Sequence, residues 1–288
     1  MAKRALITGA NTGLGKAIAV ALAERGMEVV MACRSRDRGE SAREEIVRQT
    51  GNRSVDLLIL DLASLDSIRQ FVVEFCARYD RLDLLVNNAG ISLTSRRTSA
   101  DGYEMVFAVN HLGPFLLTNL LLELLKRSAP ARIVNVSSSV HKNAKFDPED
   151  LQKEHNWEGR DAYACSKYLN VLFTYELSRR LGNAGVTANC FNPGLVRTEF
   201  FRDYHPVPFM LRLVLRLIGR TPEEGARTAV YLATDSRFDQ TSGRYYQNKK
   251  EIESAPGTYD PDLAARIWDY SSSLVADSDD NRAERANG

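Results

Sequence analysis

The feature that most restricts how this chain can fold is an alternation of two periodicities. Short apolar, β-branched runs recur at 5–8, 28–32, 55–60, 83–86, 132–136, 186–191 and 243–247. Stretches of helical period fill the gaps, at about 13–25, 36–49, 64–79, 101–126, 161–182 and 222–234. Strand–helix alternation of this kind predicts right-handed crossovers and an α/β doubly wound, mainly parallel seven-stranded sheet with helices on both faces. No repeat or low-complexity linker divides the chain, so residues 1–275 are expected to form one domain. The polar stretch 276–288 reads as a frayed tail.

Composition removes several classes of function. With 38 basic and 37 acidic side chains the net charge is +1, which gives no global field to gather nucleic acid or an anionic membrane. Cys33, Cys76, Cys165 and Cys190 form no C-x-x-C pair, so neither a metal site nor a disulfide framework is expected. No apolar run reaches the roughly 18 residues that span a bilayer. The segment Met1-Ala2-Lys3-Arg4 leads at once into a strand, so the expectation is a cytoplasmic protein with neither signal peptide nor anchor.

The first strand runs into Thr8-Gly9-Ala10-Asn11-Thr12-Gly13-Leu14-Gly15 and then a helix whose inner face is read as Ala17, Ile18, Val20, Ala21 and Leu22. Gly9 permits a tight turn and Gly13 lets backbone approach a pyrophosphate. Gly15 lets the helix pack close, so that its first amides point at the anion. A merely structural turn is the bland alternative. The second strand ends in Cys33-Arg34-Ser35 where an enzyme using NAD usually places an acid on the ribose 2′-hydroxyl. A guanidinium can instead bind a 2′-phosphate bidentately, so Arg34 favours NADP(H), with NAD(H) the alternative. Arg36 and Arg38 read as a solvated face, and Lys16 adds charge near the turn or lies on the surface.

Tyr163 and Lys167 are four residues apart in a helical stretch and share one face. A free phenol has a pKa of about 10, and lowering it by roughly 3 units needs about 4 kcal/mol of phenolate stabilisation. A neighbouring ammonium has the right sign. The pair gains weight from its companions. The strand 132–136 ends in Ser137-Ser138-Ser139, where one hydroxyl could donate to a substrate oxygen. Asn87-Asn88-Ala89-Gly90 ends the fourth strand, and Asn110 interrupts a helix.

In order and spacing, these motifs resemble the short-chain dehydrogenase/reductase family across nearly the whole chain. The resemblance implies a Rossmann-type fold and hydride transfer between an alcohol and an aldehyde or ketone. It casts Tyr163 as acid/base, and Lys167 as the group that holds the nicotinamide ribose and lowers the tyrosine pKa. Ser138 would orient the carbonyl, with Ser137 and Ser139 as neighbouring alternatives, and Asn110 would hold a water. Asp61 and Leu62 would contact adenine, and Asn87, Ala89 and Gly90 the ribose side. Pro193-Gly194-Leu195-Val196-Arg197-Thr198 resembles the family's P-G-x-x-x-T element, in which Val196 and Thr198 grip the carboxamide and Pro193 and Gly194 shape the turn.

Several strings are similar to the retinol dehydrogenase-like branch: Ala32-Cys33-Arg34-Ser35, Asn110-His111-Leu112-Gly113-Pro114-Phe115, Ser166-Lys167 followed by Asn170-Val171-Leu172-Phe173, and Ser242-Gly243-Arg244-Tyr245-Tyr246 followed by Ala264–Trp268. That implies a lipophilic substrate of retinoid, steroid or aliphatic type. Residues 197–220 contain an apolar stretch, 207–218, striped by Arg212, Arg216 and Arg220. It reads as a lid or substrate wall, with a domain cover, a subunit contact in a homo-oligomer, or peripheral membrane contact as alternatives. The rival to an enzyme is a nucleotide-binding sensor or scaffold that retains the fold.

Overall fold

The structure, a computed structural model, describes residues 2–196 and 219–286, with side chains of the final helix described as far as residue 276. Its strands are β1 (Arg4–Thr8), β2 (Glu28–Cys33), β3 (Val55–Ile59), β4 (Leu84–Asn87), β5 (Ala131–Val136), β6 (Val186–Asn192), β7 (Tyr245–Gln247) and β8 (Lys250–Glu251). They form one sheet in the order β3-β2-β1-β4-β5-β6-β7-β8. The first seven pair in parallel, and β8 folds back antiparallel on β7. Strand order reverses between β1 and β4. A doubly wound sheet opens its ligand crevice at such a point, beyond the strands' carboxyl ends.

The helices are α1 (Gly13–Ala23), α2 (Arg36–Thr50), α3 (Leu65–Arg78), α4 (Met105–Arg127), α5 (Gly159–Leu181), α6 (Pro222–Thr234) and α7 (Pro261–Ala286). Two-residue periodicity in the strands sorts the core into two layers. Ala5, Ile7, Val29, Met31, Val86 and Val134 pack with α1, α2 and α6. Leu6, Val30, Leu58, Leu85 and Ile133 pack with α3, α4, α5 and α7. Each fully buried Leu, Ile or Phe contributes about 1.5–3 kcal/mol, so these layers fix the register of every strand. Helix ends follow local chemistry. Ser64 caps α3 through the Ser67 amide, and Thr221 and Glu224 close a capping box on α6 behind Pro222. Gly51, at φ 70°, ends α2.

Four sequence expectations change. An eighth strand joins the seven, through a turn in which Asn248 and Lys249 both take positive φ. Its two residues are exposed, so no apolar alternation announced them, and Asn248 was the available signal. The helix expected from 101 starts at Met105 and passes through a π turn, Ala108–Leu112, before continuing from Gly113. Met105–Arg127 is by length and composition apolar enough to cross a membrane, contrary to the reading that no run is. However, 78% of its apolar window is buried in the fold, which accounts for the composition. Finally, α7 carries the backbone on to Ala286, through the stretch expected as a frayed tail. The segment 207–218 and most of the expected lid, 197–218, lie outside the described residues.

Candidate active site

The carboxyl ends of β1 and β4 are tied together by one hydroxyl. Thr8 Oγ1 accepts from the backbone amides of Asn88 and Ala89, each at 3.0 Å. The Asn88 side chain returns the tie, donating to the Thr8 carbonyl at 2.8 Å. The intervening turn starts at Gly9, whose φ of 67° is open to glycine at no steric cost. A methyl group on Gly15 would overlap the Gly9 carbonyl oxygen, so α1 approaches the turn as closely as backbone allows.

Helix α1 differs from the capped helices in one respect that bears on a ligand. Thr12 makes no side-chain cap hydrogen bond, and no acidic residue lies in the first turn. The first amides of the helix, at Gly13, Leu14 and Gly15, are therefore left without a cap at its positive end, which suits a pyrophosphate. The donor set and the glycine cradle fit a dinucleotide. Asn11 stands in the turn, half-buried. Lys16 is ion-paired with Glu45 of α2, so its charge is already engaged within the protein.

Beyond the glycine turn, Arg34 projects, exposed, from the end of β2 and makes no ion pair among the described residues. Burial pushes the neighbouring Cys33 thiol up to about 11, against the backbone amides of Ala10 and Asn11 and the charge of Arg38. A neutral thiol thus occupies the place where a carboxylate would repel a phosphate. Asp61 accepts the Ala63 amide at 3.0 Å and is half-buried beside buried Leu62. Gly113 lets α4 press against the Leu62 carbonyl. The Asn87 side chain turns away from this crevice, into the sheet. It donates to Asn135 at 2.8 Å and Thr118 at 3.0 Å, so only its backbone is left at the crevice.

The catalytic candidates converge at the end of β5. Lys167 Nζ, 3% exposed, donates to the Val136 carbonyl at 3.2 Å and lies 5.5 Å from the centroid of the Tyr163 ring. Burial lowers its pKa from 10.5 to about 8. Gly90 leaves room for this arrangement. A Cβ there would stand 3.4 Å from Lys167 Nζ and 3.3 Å from Asn110 Oδ1.

The three serines separate cleanly. Ser137 is buried and donates to the Lys167 carbonyl at 2.9 Å, so its hydroxyl is committed to α5. Ser139 is exposed at the start of the short 3-10 helix Ser139–Asn143. Ser138, half-buried, makes only a long 3.4 Å contact from the Val140 amide to Oγ among the described residues, which leaves its hydroxyl hydrogen uncommitted to them.

Asn110 is fully buried in the π turn. Its side chain accepts from the Ile91 amide at 2.7 Å and donates to the Ile91 carbonyl and to Ser166 Oγ, both at 2.9 Å. The amide is therefore fully used by the protein. Pro114 has no N–H to offer the Asn110 carbonyl four residues back, which removes that carbonyl's α-helical partner.

Pro193 and Gly194 follow β6, with the Gly194 amide donating to Asn192 at 3.0 Å. Val196 bridges to Arg220 and packs with Leu14 around Gly225, which brings this element against the glycine turn. Thr198 lies outside the described residues. Sequence reasoning assigned no role to Asn88, Ser166 or Asn170, although each stood within a motif or string it singled out; Asn170 donates to the Val136 carbonyl beside Lys167. A separate groove of about 370 Å³ runs between α1 and α6, lined by Val20, Glu24, Arg227 and Tyr231, and none of the catalytic candidates borders it.

The model of the short chain dehydrogenase family matches residues 3–206. Human retinol dehydrogenase 14 is 44% identical over 290 residues, covering 95% of this chain and 86% of that protein. Human retinol dehydrogenase 13 is also 44% identical, covering 95% and 84%. Among solved structures, a protein from Mycobacterium Paratuberculosis superposes with a TM-score of 0.76 at 32% identity, covering 95% and 93%. A short chain dehydrogenase from Escherichia coli CFT073 complexed with NADPH gives 0.68 at 25%, covering 85% and 95%. The chain belongs to the short-chain dehydrogenase/reductase family, as an oxidoreductase acting on CH–OH groups. Within it, retinol dehydrogenases are among its close relatives, and the family uses NAD(P).

Proposed function

We propose that the protein is an NADP(H)-dependent oxidoreductase that interconverts a lipophilic alcohol and its aldehyde or ketone, of retinoid, steroid or aliphatic type. The observation that carries this reading is the buried Lys167 ammonium held 5.5 Å from the Tyr163 ring at the end of the strand that presents Ser138. The bound dinucleotide supplies or accepts the hydride at the substrate carbon. In the reducing direction Ser138 Oγ–H donates to the substrate oxygen, and Tyr163 gives its phenolic proton to that oxygen as negative charge grows there. Lys167 stabilises the phenolate left behind and holds the nicotinamide ribose. Asn110, through its carbonyl, keeps a water in reach of Lys167 so that the proton is replaced from solvent.

The glycine turn from Gly9 to Gly15 takes the pyrophosphate, while Asp61, Leu62, Ala89 and Gly90 line the adenosine half. Pro193, Gly194 and Val196 face the carboxamide end. A lipophilic substrate is supported by relatives named as retinol dehydrogenases at 44% identity. A cytoplasmic location is part of the reading and rests on the near-balanced charge and four free cysteines.

A panel of retinal, steroid ketones, and aliphatic aldehydes and ketones, assayed with NADPH, tests the reading. Turnover is expected with at least one lipophilic carbonyl, and tight cofactor binding without turnover across the panel would overturn it. Cofactor choice has its own test. Arg34→Ala should weaken NADPH binding by about 2 kcal/mol, roughly 30-fold, because a charged hydrogen bond to the 2′-phosphate is lost. NADH binding should hardly change. Equal losses for the two cofactors, measured by fluorescence titration, would remove Arg34 from the 2′-phosphate.

A further inference from the structure

His141 follows Ser138 by three residues and is buried to 1% exposure, yet no step so far uses it. Its two ring nitrogens have different partners. Nδ1 lies 2.6 Å from the Ser138 carbonyl oxygen, and the Ala255 backbone amide lies 3.0 Å from Nε2. A backbone amide can only donate, so Nε2 accepts and carries no proton. A carbonyl can only accept, so the ring's one hydrogen sits on Nδ1 and is donated to Ser138. One neutral tautomer satisfies both partners, while the other tautomer and the imidazolium each leave a clash of like groups.

Both ends of this link are fixed. The Ala255 carbonyl accepts from Thr258 Oγ1 at 2.6 Å, and the neighbouring Ser254 hydroxyl bonds Thr258 at 2.6 Å and Tyr175 at 2.9 Å. Tyr175 belongs to α5, the helix that carries Tyr163 and Lys167. The Tyr245 ring packs T-shaped against the imidazole, 5.0 Å between centroids. On the other flank, Ser137 is bonded to the Lys167 carbonyl. The backbone on either side of the Ser138 hydroxyl is therefore referenced to the same helix.

We propose that His141 is a positioning residue for the reaction. As a neutral imidazole in the Nδ1–H form, it holds the Ser138 carbonyl and so sets where the serine hydroxyl points relative to Tyr163. This rests on the reading of Ser138 as the group that orients the substrate oxygen.

Two measurements test it together. In protein labelled with ¹⁵N-histidine and loaded with NADPH, His141 should show the neutral Nδ1–H tautomer without titrating between about pH 5.5 and 8, where a free histidine would titrate. The Nε2–H tautomer or an imidazolium would overturn the proposal.

The second measurement uses a pair of substitutions that separate the two ends of the ring. His141→Asn places an amide N–H near Nδ1 and keeps the donor to Ser138, whereas His141→Gln places an acceptor near Nε2 and keeps only the Ala255 link. His141→Gln is expected to lower kcat about 10- to 10²-fold with KM nearly unchanged, the scale of a misplaced catalytic group. His141→Asn should stay within about threefold of the parent kcat, within the scatter expected when the geometry is kept. Equal losses in both would mean that His141 only supports the fold. Ser138→Ala separates the two readings. Retained turnover there would overturn the role of Ser138, and with it this proposal, without altering the tautomer observed.

Discussion

Tyr163→Phe is expected to lower turnover by at least about 10²–10⁴-fold, the contribution of a positioned acid or base, while NADPH binding changes little. The substitution removes one oxygen and keeps the ring. The Lys167 ammonium, 5.5 Å from the ring centroid, therefore keeps a π face beside it, and α5 keeps its packing. The groups suited to the pyrophosphate are the uncapped amides of α1, and Phe at 163 leaves them untouched. Loss should appear in kcat for both directions, because microscopic reversibility gives the same oxygen the proton to donate in reduction and to accept in oxidation. Stopped-flow turnover and fluorescence titration of NADPH on one preparation separate the two effects. Retained turnover would remove Tyr163 from the acid/base role. Lost cofactor binding would mean that the phenol holds the dinucleotide rather than the proton.

Much of the architecture was legible because it depends on periodicity. The strands β1 to β6 alternate with helices whose inner faces repeat every three or four residues, and burial on both sides of the sheet demands that pattern. The glycine turn was legible for a steric reason, since no side chain fits at Gly15 against the Gly9 carbonyl. β8 was not, because two exposed residues carry no pattern. α7 escaped because its apolar positions, Ala264, Ile267, Trp268 and Leu274, follow the last strand, where alternation gives no further cue. They pack on α4 and α5 through Trp268, 4.9 Å from Phe115 and 5.7 Å from Phe173. In the site, residue identity singled out Tyr163, Lys167 and Asn110 as candidates, but identity alone could not choose among Ser137, Ser138 and Ser139. The choice depends on which hydroxyl the fold has already claimed, and for Ser137 the claimant is a carbonyl 30 residues away. The Asn87 side chain shows the converse. It bridges β4 to β5, a role that residue identity does not announce.

Lys167→Met is expected to make the protein inactive and more stable at the same time. The ammonium is 3% exposed, and burial alone accounts for its fall from 10.5 to about 8. A lysine whose folded pKa is depressed destabilises the native state wherever it is charged in both states, which here means below about pH 8. A drop of that size corresponds to about 3 kcal/mol at ~1.4 kcal/mol per unit. Removing the amine also removes its bond to the Val136 carbonyl, worth about 1 kcal/mol, but Asn170 still donates to that oxygen at 3.2 Å. Methionine fills similar volume without a charge, so a net gain of about 1–3 kcal/mol is expected near pH 7 in urea unfolding without added cofactor. The advantage should shrink as pH rises from about 8 to about 10.5, because there the unfolded parent still binds the proton that its folded state has released. A variant that is less stable at pH 7, with no convergence at high pH, would mean that the ammonium is held by interactions that repay its burial. The expected pattern would instead identify Lys167 as a charge the fold tolerates at a cost, kept where it can stabilise a phenolate on Tyr163.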